Sequence, residues 1–202
     1  MKPIQVALAL SALLAAVVAA GLFASSPDRA TAERAHIGCG NENWPLKTLS
    51  DPERKLVDLR PTKTSVSEIN HRPMPGRTPR TRTTPFARQV WRVRAQITEY
   101  KLSRDGEVYL VLYDGRKSYM TAGMPSTECL PGTTRARKAI ESARALLEGL
   151  CGPALPQWRP LGAVVLIDGV GYWNVPHDQH GHALNYGELH PVTRVQLIDG
   201  CA

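Results

Sequence analysis

The chain has no C-x-x-C pair, so none of its four cysteines has the spacing of a structural zinc site. It also lacks a G-x-S-x-G elbow, a glycine-rich phosphate loop and an H-E-x-x-H helix. Those absences remove the most specific signatures of serine hydrolases, P-loop nucleotide enzymes and zincin proteases. There is no internal repeat, and no low-complexity segment beyond one stretch rich in proline and arginine. Between Ile69 and Thr98 there is no acidic residue, although Arg72, Arg77, Arg80, Arg82, Arg88, Arg92 and Arg94 all fall there.

What is present starts with an export signal. Lys2 gives a positive start and Ile4 to Phe23 is almost wholly apolar, so residues 1–32 read as a secretory signal peptide, with Ala30-Thr31-Ala32 as the cleavage pattern. A cut after Ala24 is a second option. The apolar run approaches the roughly 20 residues that span a bilayer, so an uncleaved membrane anchor is the alternative. No cysteine follows the run at lipoprotein distance. The expected location is secreted or extracytoplasmic.

The remaining 170 or so residues suit one domain with a real core. Cys39, Cys129, Cys151 and Cys201 all lie in that part, and an even count in an exported chain favours two disulfides. Spacing alone leaves all three connectivities open. The formal charge of +7 falls to +6 once Lys2, Asp28 and Arg29 leave with the signal. The excess sits in the arginine block, whose field would attract an acidic polymer without specifying it.

Residues 33–89 form a loop-rich, Pro/Arg-rich lead-in with a short helix expected near Glu53 to Leu59. Pro73, Pro75, Pro79 and Pro85 make regular structure between His71 and Pro85 improbable. From residue 90 to 202 the pattern is that of a β domain. Trp91, Val93, Ala95 and Ile97 alternate with Arg92, Arg94, Gln96 and Thr98, which predicts a half-buried strand. Asp105-Gly106 and Asp114-Gly115 turn that strand into Glu107 to Tyr113 and then Lys117 to Ala122. Thr133 or Thr134 is expected to cap a helix through Ala136, Ala139, Ile140, Ala143, Leu146, Leu147 and Leu150, ending near Gly149. Ala163 to Ile167 and Val192 to Ile198 supply two further strands, with Gly169 to Trp173 continuing the first or turning back. The fold expected is mostly β with one helix: an OB-fold-like five-stranded barrel of order β-β-β-α-β-β.

The tract from His177 to Pro191 holds four of the six histidines, with Asp178, Gln179, Asn185 and Glu188 among them. Together with Cys39-Gly40, Trp44 to Thr48, Tyr100 to Leu102, Leu110 to Leu112 and Gly169 to Tyr172, it resembles a group of small exported bacterial proteins, largely uncharacterised, that end in an H-G-Q-T-G-x-A-P-N-x-I-E-L-H-P-V-like motif. The resemblance implies export and a compact β-rich domain, and brings no reaction. His177, Gln179, Gly181, Asn185, Glu188, His190 and Pro191 match it. Three positions depart from it: Tyr109 replaces a histidine, Gly123 a carboxylate, and Asn174 an aspartate. If those positions belong to an active centre, the centre here is altered. The resemblance also implies pairing of Cys39 with Cys129, leaving Cys151 with Cys201.

Three chemistries compete for the tract. As a metal site, His177 and His180, or His180 and His182, would join Glu188 and His190; of the set shared with the resembling proteins, His177 and His190 are the imidazoles. No cofactor is required by the sequence, and zinc is the ion these ligand types would suit. As a hydrolase, Glu188 and His190 would act as base and acid with His177 beside them, and Asn185 or Gln179 would stabilise negative charge. A nuclease-like, metal-assisted version would use the basic stretch to grip phosphate. As a loop brace, His177, Asn185 and Glu188 would satisfy polar groups before the last strand. The expected function is a binding module for an extracellular polymer or partner, the polymer being a nucleic acid or a glycan. Arg92, Arg94 and Tyr109 would supply charge and stacking beside Tyr113, Tyr119, Tyr172 and Trp173, and the amides Gln179 and Asn185 would grip polar groups. The hydrolase centred on His177, Glu188 and His190 is the alternative. A membrane enters as a partner only if the N-terminal segment stays uncut.

Overall fold

A computed structural model describes residues 38–40 and 43–201; the expected signal segment lies outside them. The described chain is mostly β, with six strands in one sheet and three α-helices, of which one is longer than five residues. In chain order the elements are α1 (Trp44–Lys47), β1 (Asp58–Thr64), α2 (Val66–Asn70), β2 (Gln89–Leu102), β3 (Val108–Tyr113), β4 (Tyr119–Met124), α3 (Arg137–Cys151), β5 (Arg159–Trp173) and β6 (Gly187–Asp199).

The strand order is β1-β2-β3-β4-β6-β5, with β2 also paired to β5, so β2 to β6 follow one another in a ring. β2 serves three partners because it is 14 residues long: its first residues pair with parallel β1, its last with β3, and nearly its whole length with β5. β4 and β6 run parallel where Ala122 meets Leu189. The expected count of five strands is therefore one short. The sixth is β1, which has no buried residue and contains Pro61, so neither alternation nor β propensity marks it. Only a 3₁₀ turn, Arg54–Leu56, stands where a short helix was expected. Between His71 and Pro85 there is no helix or strand, as the prolines require.

Alternation explains the core. Val93, Ala95 and Ile97 of β2, Leu110 and Leu112 of β3, Met120 and Ala122 of β4, Val165 and Ile167 of β5 and Leu189 of β6 are all buried in one apolar cluster. Burying each large aliphatic side chain contributes about 2 kcal/mol. Helix α3 packs on β6 and buries Ile140, Ala143 and Leu147 at three- and four-residue steps. Leu146 and Leu150, expected on that face, are 42% and 54% exposed. Neither threonine caps the helix: its N-cap is Ala136 in the left-handed region at φ 59, and the helix runs past Gly149 to Cys151. β5 is a single strand through Trp173, and β6 starts at Gly187, which places Glu188 and His190 on a strand. The disulfides are Cys39–Cys129 and Cys151–Cys201, with Cα atoms 5.3 and 5.4 Å apart. Two disulfides suggest an oxidising, extracytoplasmic environment. No helix among the described residues is long and apolar enough to cross a membrane.

Candidate functional site

Strand parity places the polar residues. Since Leu110 of β3, Met120, Ala122 and Met124 of β4 and Leu189 of β6 enter the apolar core, Tyr109, Thr121, Gly123, Glu188 and His190 face the opposite way. That face is covered by the lead-in, through Lys47 of α1, and by the loop 174–186, so a polar layer lies buried beneath them. Lys47, Glu107, Thr121, Glu188 and His190 are each at most 5% exposed.

The layer is a chain of charges in alternating sign. Lys47 Nζ donates to Glu107 Oε2 at 3.2 Å and to the Tyr109 hydroxyl at 3.1 Å, and that hydroxyl donates to the same Glu107 oxygen at 2.9 Å. His190 Nε2 donates to Glu107 Oε1 at 2.8 Å, while its Nδ1 faces Glu188 Oε2 at 3.8 Å. Glu188 Oε1 accepts from Thr121 Oγ1 at 2.7 Å and Asn174 Nδ2 at 2.9 Å. His177 Nδ1 accepts from the Gln179 backbone N–H, which leaves its Nε2 toward Glu188 Oε1 at 3.5 Å. Burial by itself would push the Glu107 carboxyl up, but His190 and Lys47 outweigh it and hold it down at about 2. Glu188 is likewise held well below the carboxylate range despite its burial, by the His177 and His190 imidazoles facing it and by the Thr121 hydroxyl that donates to it. Burial disfavours the charged form of His190, yet the Glu107 and Glu188 carboxylates raise its pKa above the ordinary value. Tyr109 is driven up by burial and by the two carboxylates, so it stays a neutral donor. With His190 protonated, two cations face two anions.

This arrangement decides what the tract can do. His190 Nε2 is committed to Glu107, while its Nδ1 faces Glu188 Oε2 at 3.8 Å without a hydrogen-bond partner. Among the described residues no three His, Cys, Asp or Glu side chains are placed to hold a metal. Tyr109, Gly123 and Asn174, the positions singled out from sequence, all border the layer. A Cβ on Gly123 would lie 2.2 Å from His190 Cε1, so the glycine makes room for the imidazole. Asn185 braces the loop: its Nδ2 donates to the Ile69 and Arg72 carbonyls at 2.7 and 2.9 Å, and its Oδ1 accepts from Gly187 N–H at 3.1 Å. Gln179 contributes backbone contacts to His177 and His182. His182 stacks on Tyr186, and His180 pairs with Glu99 beside Trp158, so neither joins His190.

The arginine block disperses on folding. Arg82 is 1% exposed and donates to Asp51, Leu46 and Ala87. Arg72 stacks over Trp91 with its Cζ 4.1 Å from the ring centre. Arg92 forms a two-pronged bond to Asp168 at 2.6 and 2.7 Å. Arg94 alone among the predicted binding residues is exposed in an open groove of about 540 Å³, with Ser65, Ser67, Asp114, Arg116, Lys117 and Ser118.

No known family matches the chain, and no curated protein does. A solved structure from Leishmania major Friedlin, named as an aspartyl-tRNA synthetase, is similar at a TM-score of 0.41 and 14% identity over 71% of this chain. The chain spans 22% of that protein's length.

Lys47, Glu107 and Thr121 were missed because each is unremarkable in its own segment and only pairing across α1, β3, β4 and β6 assembles them. The signal for Lys47 was local: a lone cation in the apolar context Trp44-Pro45-Leu46. In the sequence Arg116 reads as a turn residue and Lys117 as the start of the next strand, which in the structure begins at Tyr119, and nothing local shows that Arg94 shares a groove with them.

Proposed function

We propose that the protein is an exported binding module that holds an acidic polymer outside the cytoplasm, akin to the small exported proteins its closing motif resembles. One observation carries the reading: Arg94, Arg116 and Lys117 converge on a single open groove, and among the described residues none of their side chains has an ion-pair partner. Three unpaid-off charges on one surface give a local field that a flexible polyanion can satisfy. The ring of β2 to β6, with β4 and β6 parallel and α3 between β4 and β5, supports an OB-type five-stranded barrel to which β1 is added at one edge. The burial of Glu188 and His190 keeps both away from any substrate, which favours binding over hydrolysis at the tract.

The test is association of the mature protein with immobilised heparin and with DNA at about 50 and about 200 mM salt. Affinity should fall steeply with salt, and Arg94→Ala/Arg116→Ala should flatten that dependence while melting at the wild-type temperature. Salt-independent binding, or a double variant that binds like wild type, would sink the proposal. Arg92→Ala is the contrast, because that guanidinium is already committed to Asp168.

A further inference from the structure

We infer that the occupant of this groove is single-stranded nucleic acid, an assignment that rests on the acidic-polymer reading and narrows it. The hairpin that carries Arg116 and Lys117 also carries an aromatic pair: Tyr113 and Tyr119 stack with centroids 4.5 Å apart and planes 22° from parallel. Tyr113 is held by its hydroxyl, which donates to the Arg116 carbonyl at 2.7 Å, and Tyr119 is 41% exposed. A pre-stacked ring with an accessible surface is a platform for a planar group, available without ordering a loose side chain.

The balance of donors and acceptors chooses the polymer. Among the lining residues the single carboxylate is Asp114, and its Oδ1 already accepts from the backbone N–H groups of Arg116, Lys117 and Ser118 at 2.7, 3.0 and 3.1 Å. Those bonds hold its pKa below the ordinary value although burial opposes them. The groove therefore presents guanidinium, ammonium and hydroxyl groups, with one oxygen of its single carboxylate committed to the turn. Phosphodiesters only accept, which matches. A glycan's hydroxyl oxygens can accept from those donors too, but each also brings an O–H that must find an acceptor, of which the groove has fewer. A duplex buries its base faces in its own stack, so an exposed ring on the hairpin that carries Arg116 and Lys117 is of use only to an unpaired strand.

The experiment is fluorescence anisotropy of the mature protein with a labelled oligothymidylate, a duplex of equal length and a heparin oligosaccharide, repeated for Tyr119→Ala, Tyr119→Phe and Arg94→Ala/Arg116→Ala. The expected result is preference for oligothymidylate, loss of about tenfold in Tyr119→Ala with an unchanged salt slope, and retention in Tyr119→Phe. The arginine double variant should instead lower the salt slope by about 1.4 for the loss of two phosphate contacts. Since Tyr119→Ala also removes a partner of Tyr113, the circular dichroism melt is measured alongside, and Tyr119→Leu provides a filled, non-aromatic control expected to bind as weakly as the alanine. Equal binding of heparin or duplex, with Tyr119→Ala harmless and the arginine variant defective, overturns the single-strand assignment and leaves the acidic-polymer reading standing. No association with any of the three probes overturns both.

Discussion

Replacing His190 by glutamine tests whether the buried layer is held by charge or merely by packing. Glutamine keeps similar bulk and can still donate to one neighbour, but it carries no charge between Glu107 and Glu188, both of which are at most 1% exposed. Removing one partner of a buried ion pair costs about 3–5 kcal/mol, because the remaining charge is left without compensation. For a domain of this length that is a fall of about 6–20 °C in melting temperature. The pH dependence supplies a sharper criterion. His190 has its pKa raised by Glu107 and Glu188, so its contribution is fully present below the unfolded value of about 6.5 and is lost as pH rises through the folded value. Glu107 is lowered to about 2, so its contribution is present above about 4.5 and is lost as pH falls toward 2. Thermal melts followed by circular dichroism from about pH 5 to 10 should show the wild-type advantage over His190→Gln shrinking on the alkaline side. In acid the gap should also narrow, because protonating either carboxylate relieves the variant. A variant that melts with wild type, or a gap that stays constant across pH, would refute the claim that the imidazole is charged and holds the layer together.

Gly123→Ala should destabilise by about 1–3 kcal/mol, since the new Cβ would overlap the His190 ring and β4 is paired on both sides; urea midpoints would show it, and an unchanged midpoint would mean the ring has room to move. Asn185→Ala should cost about 2–3 kcal/mol through the orphaned Ile69 and Arg72 carbonyls and raise amide exchange at Gly187, while leaving polymer affinity within about twofold.

What could be read from the sequence followed from period and punctuation. Val93, Ala95 and Ile97 alternate with polar residues, and Asp-Gly steps close both hairpins, so β2, β3 and β4 were legible along with α3. β1 was not, because an exposed strand containing proline carries no hydrophobic signal. Glu188 and His190 are legible as neighbours on one face of a strand, but nothing local reveals that Glu107 meets His190 across 83 positions of chain and Lys47 across 60. The arginine block is ambiguous for the same reason: Arg82 and Arg92 look alike in the sequence, and only the tertiary structure gives them Asp51 and Asp168 as partners. The groove was half visible, through Arg94, because the other half comes from a turn.

The cover over the polar sheet face makes the chain its own guest there. α1 contributes an ammonium to that face much as a bound molecule would, and the Cys39–Cys129 bridge tethers the segment that carries it. A short tether sets an effective concentration of the order of millimolar. A soluble competitor for Lys47's seat against Glu107 must therefore exceed that concentration or bind far better than an intramolecular ammonium. Cutting the bridge leaves α1 joined to the sheet only through the peptide chain that follows Thr48, so the seat stays intramolecular but is held less closely, which makes the oxidation state of Cys39 a lever on whether that surface is occupied from within.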